Sequence, residues 1–415
     1  LTLDTVVQLA NLIMLNFVTI IFSPFFWLIA FVVYMQYKRI NSQKENMFGI
    51  KGDKAWPHVM VATVHGIIGG LIGSFIIVAL GISLSGIGIQ YIWMLAIALM
   101  LISPRFLCFA YAGGIISLSY LLFGWPQVEI PQLIGLVATL HMVESVLIAV
   151  SGHLGAQPIY TKLDDDRIVG GFTLQKFWPI PLVALFIMTA PNITETANGI
   201  AMPDWWPLIK STAIDNVDNF TYAMFPVVAA LGYGDLALTS SPKEKSKKSA
   251  IYLGIYSLIL LGLAILASYY PMLAVVAALF SPLGHELVIK FGRDVEFKGE
   301  PKYVMPKQGV MVLEKAYDSP ADRAGLKTGD TILAVNGFPV NQKAELSEVL
   351  YWGGTALEIE YIENVTGTFK RELVRKKYRE DLGVILVPEE NEIYYAELSN
   401  KGLLRHWWDN VRKKD

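Results

Sequence analysis

The chain has 415 residues, 53% of them hydrophobic and 17% charged, where a soluble domain carries about 25% charge. Residues 1–292 hold 15 Lys+Arg and 15 Asp+Glu while residues 293–415 hold 19 and 21, which excludes an ordinary water-soluble globule for the first part only. A net charge of −2 argues against a nucleic-acid partner, and the one cysteine, Cys108, excludes a disulfide framework, a zinc ribbon and an iron–sulfur cluster.

The expected fold is an α-helical polytopic membrane bundle of seven to nine spans, over residues 1–292, followed by a small mixed α/β domain at 303–390 and an amphipathic basic tail at 391–415. The apolar N-terminus lacks a basic start, so no cleavable signal peptide is expected, and an initiator Met or short leader is expected before Leu1. Residues 1–18 fit an interfacial segment, set apart from the first span by Ser23–Pro24. Apolar runs long enough for a hydrocarbon layer of about 30 Å fall near 20–36, 58–83, 87–103, 105–123, 131–150, 177–190, 221–240, 250–269 and 271–289. Two are weak: 177–190 contains Pro179 and Pro181, and 221–240 contains Pro226 and Asp235, so each reads as a broken or re-entrant helix. Small residues line the second span, with Gly66–Gly70 and Gly69–Gly73 at GxxxG spacing, which predicts close intrachain packing.

Nine crossings put 15 basic residues on one side, including Lys38, Arg39, Arg105, Lys162 and the lysines at 243–248, and one, Lys210, on the other. By the positive-inside rule the basic side is cytoplasmic, and the C-terminal domain with it. The largest outer loop, 191–220, carries Glu195, Asp204, Asp215 and Asp218 beside Trp205–Trp206, and reads as an interfacial loop.

Ionisable residues at membrane depth are few: His141 and Glu144 on one helix face, His285 and Glu286 in the last span, and Asp235. An HExxH zinc motif fails, because Ile289 stands four residues after His285. These residues therefore read mainly as interhelical hydrogen-bonding and ion-pairing groups, with no metal and no cofactor assigned. A degenerate intramembrane zinc protease and a transporter regulated by its C-terminal domain are the alternatives.

From Gly309 the pattern turns to short strands and turns. A turn at Ser319–Pro320, a one-turn helix at Ala321–Gly325, the strand Thr331–Val335, the hairpin pair Asn336–Gly337, a helix over Gln342–Trp352, and strands at 356–362 and 368–375 follow in order. The run SPADRAGLKTGDTILAVNGFPV resembles the core of bacterial PDZ domains. That resemblance implies capture of an extended peptide or C-terminus by strand addition. The carboxylate-loop sequence expected of the family occurs after the core, at Asp381-Leu382-Gly383-Val384. One groove wall is therefore expected to contain Leu382, Gly383, Val384 and Ile385, and the other Leu346, Val349 and Leu350. A groove filled by the protein's own chain is the main rival. The tail, with Arg405, Trp407, Trp408 and Arg412, suits anionic lipid or packing on the domain.

Over most of its length the chain resembles the Min-system membrane adaptors of Gram-positive bacteria. The resemblance rests on YMQYKRI, RFLCFAY, HMVESVLIAVSGHLGAQPIY, RIVGGFTLQKFWPIPL and SPLGHELVI, completed by the terminal PDZ domain. It implies a non-enzymatic determinant of division-site placement that bridges the polar scaffold DivIVA and the ATPase MinD, at the septum or pole of a bacterial cell membrane. Oligomeric state stays open, a symmetric homodimer being the common base case.

Overall fold

The computed structural model describes residues 3–49, 54–189, 200, 202–211, 220–378 and 380–396. Most of the 191–219 loop, with Glu195, Asp215 and Asp218, and the tail from 397 lie outside the described residues.

The N-terminal part contains α1 (Leu3–Ile21), α2 (Pro24–Phe48), α3 (Ala55–Leu80), α4 (Ile89–Ile102), α5 (Phe109–Phe123), α6 (Ile130–Ser151), α7 (Pro242–Tyr269) and α8 (Leu273–Lys298). Five of these, α1, α3, α6, α7 and α8, are long and apolar enough to cross a membrane. Ser23 ends the first segment and caps the second, its hydroxyl accepting from the Phe25 N–H at 3.2 Å with Pro24 in the first turn. Helix α7 opens on a capping box between Ser241 and Glu244.

Two segments expected as helices are strands. Residues 177–190 fall in β2 (Ile168–Thr189) and 221–240 in β3 (Phe220–Ala237), which pair antiparallel from Phe172↔Ala237 to Thr189↔Phe220. A short strand, β1 (Gln157–Lys162), flanks β2 only as far as Gln157↔Thr173. Beyond that point the second edge of β2 lies along α3, and several of its backbone groups meet protein there. Pro179 and Pro181 have no N–H to satisfy, and their carbonyls sit against Gly66 and Gly70, where a Cβ would come within 2.2 and 2.0 Å of them. The Val183 N–H donates to Ser74 Oγ at 2.9 Å, the Leu84 N–H donates to the Leu185 carbonyl at 2.7 Å, and the Ile187 N–H donates to Ser85 Oγ at 2.9 Å. An extended chain at membrane depth is tolerable only when its polar backbone is matched by protein in this way. The glycine stripe packs within the chain, as its spacing predicts, but largely against a strand.

The runs 87–103 and 105–123 also differ from two crossings. Helices α4 and α5 have 14 and 15 residues. At 1.5 Å per residue that is about 21–23 Å, short of a bilayer core of about 30 Å. The Glu129 N–H donates to the Gly86 carbonyl at 2.9 Å, so the start of α4 and the end of α5 share the end of the bundle where α6 begins. The pair forms a hairpin whose tip, a 3-10 turn at Pro104–Leu107, reaches into the bundle. Arg105, expected in a basic-side loop, is at this tip and pairs with Glu286 at 3.1 Å.

The C-terminal domain contains β4 (Val310–Lys315), α9 (Pro320–Arg323), β5 (Thr331–Val335), β6 (Phe338–Pro339), α10 (Lys343–Trp352), β7 (Ala356–Ile362), β8 (Phe369–Arg375) and β9 (Val384–Leu386). The strand order is β8-β7-β5-β4-β9, with β6 paired to β5. Asn336 and Gly337 both have positive φ, 50° and 77°, as a two-residue hairpin turn requires. Val310, Val312, Leu326, Ile332, Val335, Leu346, Leu357, Ile359 and Val374 form this domain's own core. Leu313, Ile385 and Val387 instead join the membrane-domain cluster with Tyr160 and Phe172, so the domain is seated on the bundle.

Candidate functional site

The proposed groove lies between β9 and α10. Gly383 turns the chain at φ +75°, and a Cβ there would meet Ser319 Cβ at 2.4 Å, so only glycine fits. The Ala316 N–H donates to the Gly383 carbonyl at 2.8 Å, and the Val387 N–H donates to the Met311 carbonyl at 3.0 Å. In an antiparallel ladder these flanking bonds turn the N–H and C=O of Val384 and Leu386 away from β4, toward the free edge of β9. Among the described residues no strand pairs with that edge.

The apolar wall comes from one face of α10. Leu346 is buried in the domain core and Val349, Leu350 and Val384 pack partly buried against the same cluster, with Leu382 and Leu386 inside it. The sequence-named residues thus meet around β9 and α10, with one exception. Ile385, by strand alternation, faces the other way and is buried with Leu313 and Val387 against the membrane domain.

Tyr160, which the sequence did not single out, closes the far end. Its hydroxyl donates to the Leu386 carbonyl, one of the two free-edge acceptors. Lys343, at the start of α10, holds that hydroxyl at 3.3 Å and pairs with Glu392 at 2.5 Å, and its N–H donates to Glu389 at 2.7 Å.

The ionisable residues that the sequence singles out in the bundle fall into two groups. Asp235 lies near the end of β3 and accepts from Ser249 at 2.6 Å and Tyr233 at 3.2 Å, with Lys245 Nζ at 3.3 Å. Lys245 also reaches Glu296 at 3.5 Å and donates to the Gly292 carbonyl at 3.1 Å. Glu296 in turn accepts the N–H groups of Leu238 and Thr239 at 2.7 and 2.8 Å. Lys245 and Glu296 are 3% and 2% exposed, so this ion network ties β3, α7 and α8 together at the end nearest the C-terminal domain.

The second group is deeper. His141 on α6 and His285 on α8 approach with ring centroids 5.1 Å apart, and Cys108, the N-cap of α5, lies beside both. Glu286 accepts from the Tyr111 hydroxyl at 2.6 Å besides pairing with Arg105, and Glu144 is partly buried one turn along α6. The sequence named both histidines and both glutamates but not the thiol, because nothing in local spacing links Cys108 to residues on two other helices.

Residues 316–360 match the family model of the PDZ domain. Together with the five long apolar helices, this defines the class: a protein with candidate membrane-crossing helices and a C-terminal PDZ domain. Over 389 residues, covering 89% of this chain and 93% of the relative, the chain is 24% identical to the cell division topological determinant MinJ of Bacillus subtilis (strain 168). A shorter likeness, 34% over 94 residues, relates 23% of the chain to 18% of a probable periplasmic serine endoprotease DegP-like of Ectopseudomonas mendocina (strain ymp).

Proposed function

We propose that the protein is a membrane-anchored, non-enzymatic adaptor whose PDZ domain faces the cytoplasm and recruits division proteins by adding their peptide segments to β9. The observation that carries the reading is the edge of β9, which no strand pairs among the described residues, opened by the Gly383 turn and faced by Leu346, Val349 and Leu350. Likeness to the B. subtilis determinant along most of both chains supports division-site placement as the setting. DivIVA-like and MinD-like proteins are the partners proposed on that basis. Anchoring by several apolar helices would hold the groove at the bilayer surface and raise the local concentration of partners.

The test compares wild type with Gly383→Arg in two-hybrid mapping and in localisation of the fluorescently tagged full chain. Loss of partner recruitment, with the protein still in the membrane, is expected. Unchanged recruitment overturns the groove mechanism. A second reading, in which the chain after β9 occupies the groove, draws on Glu389 and Glu392 bonding Lys343 at the mouth. It predicts that truncation after residue 388 increases peptide affinity.

A further inference from the structure

The Cys108, His141 and His285 side chains come from the hairpin tip, α6 and α8, and their ligand atoms lie within 4.8 Å of one another. Cys108 Sγ is 3.1 Å from His141 Nε2 and 3.6 Å from His285 Nε2. With Zn–S near 2.3 Å and Zn–N near 2.0–2.1 Å, a tetrahedral ion separates sulfur from nitrogen by about 3.5 Å. Both sulfur–nitrogen distances are therefore close to the spacing that one ion would impose.

His141 is also set in a ligating tautomer. The Val137 carbonyl, 2.7 Å from His141 Nδ1, can only accept, so that nitrogen carries the proton and Nε2 turns its lone pair toward the thiol. Cys108 Sγ accepts the Ala110 N–H at 3.4 Å at the start of α5, which fixes the sulfur at the hairpin tip facing both imidazoles. His285 is 9% exposed, and its Nδ1 has no hydrogen-bond partner among the described residues. The thiol can give its one proton to His141 Nε2, which leaves His285 with only the 3.6 Å sulfur contact at Nε2 and none at Nδ1. A cation among the three would receive one thiolate and two Nε2 lone pairs, turning these contacts into bonds. Tyr111 and Tyr256 wall the site, with ring centroids 5.2 and 5.6 Å from His285.

We infer that Cys108, His141 and His285 bind a thiolate-preferring transition-metal ion, Zn2+ being the expected occupant, which clamps the α4–α5 hairpin tip to α6 and α8. Binding replaces the Cys108 S–H by a sulfur–metal bond and releases that proton to solvent. Three protein donors leave a fourth position for water or another small ligand.

The test is elemental analysis of the full chain, purified in detergent without a histidine tag from zinc-supplemented cells. About one zinc per chain is expected, falling at least about tenfold in Cys108→Ser and in His141→Gln. Copper at the same stoichiometry and with the same dependence supports the site and reassigns the ion. Because Cys108 is the single cysteine, a second readout needs no substitution: maleimide labelling should be slow in the purified protein and at least about tenfold faster after phenanthroline treatment. Less than about a tenth of an equivalent of metal overturns the inference, as does equal metal in wild type and a membrane-inserted Cys108→Ser chain, or labelling that chelation leaves unchanged.

Discussion

Glu363 shows how one side chain can make the C-terminal domain acid-sensitive. Its carboxylate accepts from Thr366 Oγ1 at 2.8 Å and from Lys327 and Lys370 at 3.0 Å each. These bonds, Thr366 first, hold its pKa down at about 2, below an unfolded value of about 4.3. A depressed folded pKa stabilises the fold above the unfolded pKa, and the benefit is lost as pH falls through the folded one. The domain should therefore lose stability between about pH 5 and about pH 2, and Glu363→Gln should flatten that dependence while lowering stability at neutral pH. Thermal unfolding followed at several pH values reads both. Gly383 is the other decisive single position. Gly383→Val combines a disfavoured φ of +75° with a Cβ 2.4 Å from Ser319 Cβ, so peptide affinity should fall at least about tenfold. Titration with a labelled C-terminal peptide measures it, and unchanged affinity would place binding elsewhere.

At the scale of elements, legibility depended on whether the signal was local. The PDZ elements were readable because turns announce them: Asn336–Gly337 forms the hairpin turn, and the expected turn at Ser319–Pro320 leads into α9, where Ser319 is the N-cap. The strands β2 and β3 were not. A strand buried on both faces has no polar alternation, so β2 reads as a continuous apolar run, and its prolines then look like helix breaks. The glycine stripe of α3 announced a close approach but could not name the approaching element. The arrangement makes a graded prediction. Gly70→Ala drives a Cβ to 2.0 Å from the Pro181 carbonyl, whereas Gly262 on α7 has no atom within 4 Å of its Cβ position. Gly70→Ala should cost about 1–3 kcal/mol and Gly262→Ala little, as read from thermal aggregation of the detergent-purified chain. The ion network at the end of β3 should be more sensitive still. Lys245→Met leaves Asp235 and Glu296 without their shared cation, and breaking a buried pair costs about 3–5 kcal/mol.

For the whole molecule, the two ends of the bundle differ in charge as well as in what they carry. The C-terminal domain is seated through Leu313, Ile385 and Val387 at the end where Lys162, Lys176, Lys243, Lys245 and Lys247 also stand. Lys210 lies at the opposite end, against the Tyr269 ring where α7 finishes. This division survives the replacement of two helices by strands, because β2 and β3 run between the same two ends: Tyr303 meets Gly170 at one, and Ser83 meets Leu185 at the other. The hairpin α4–α5 returns to the end it leaves, so removing two crossings does not change sides either. The proposed cytoplasmic orientation then predicts a labelling pattern. In a Cys108→Ser background, cysteine is introduced at Val365, 80% exposed in the β7–β8 turn, and separately at Trp125, 65% exposed at the far end. In intact cells a membrane-impermeant maleimide should label Trp125→Cys and spare Val365→Cys, which should react only after lysis. Labelling of Val365→Cys in intact cells would put the groove outside, and with it any role for cytoplasmic partners would fall.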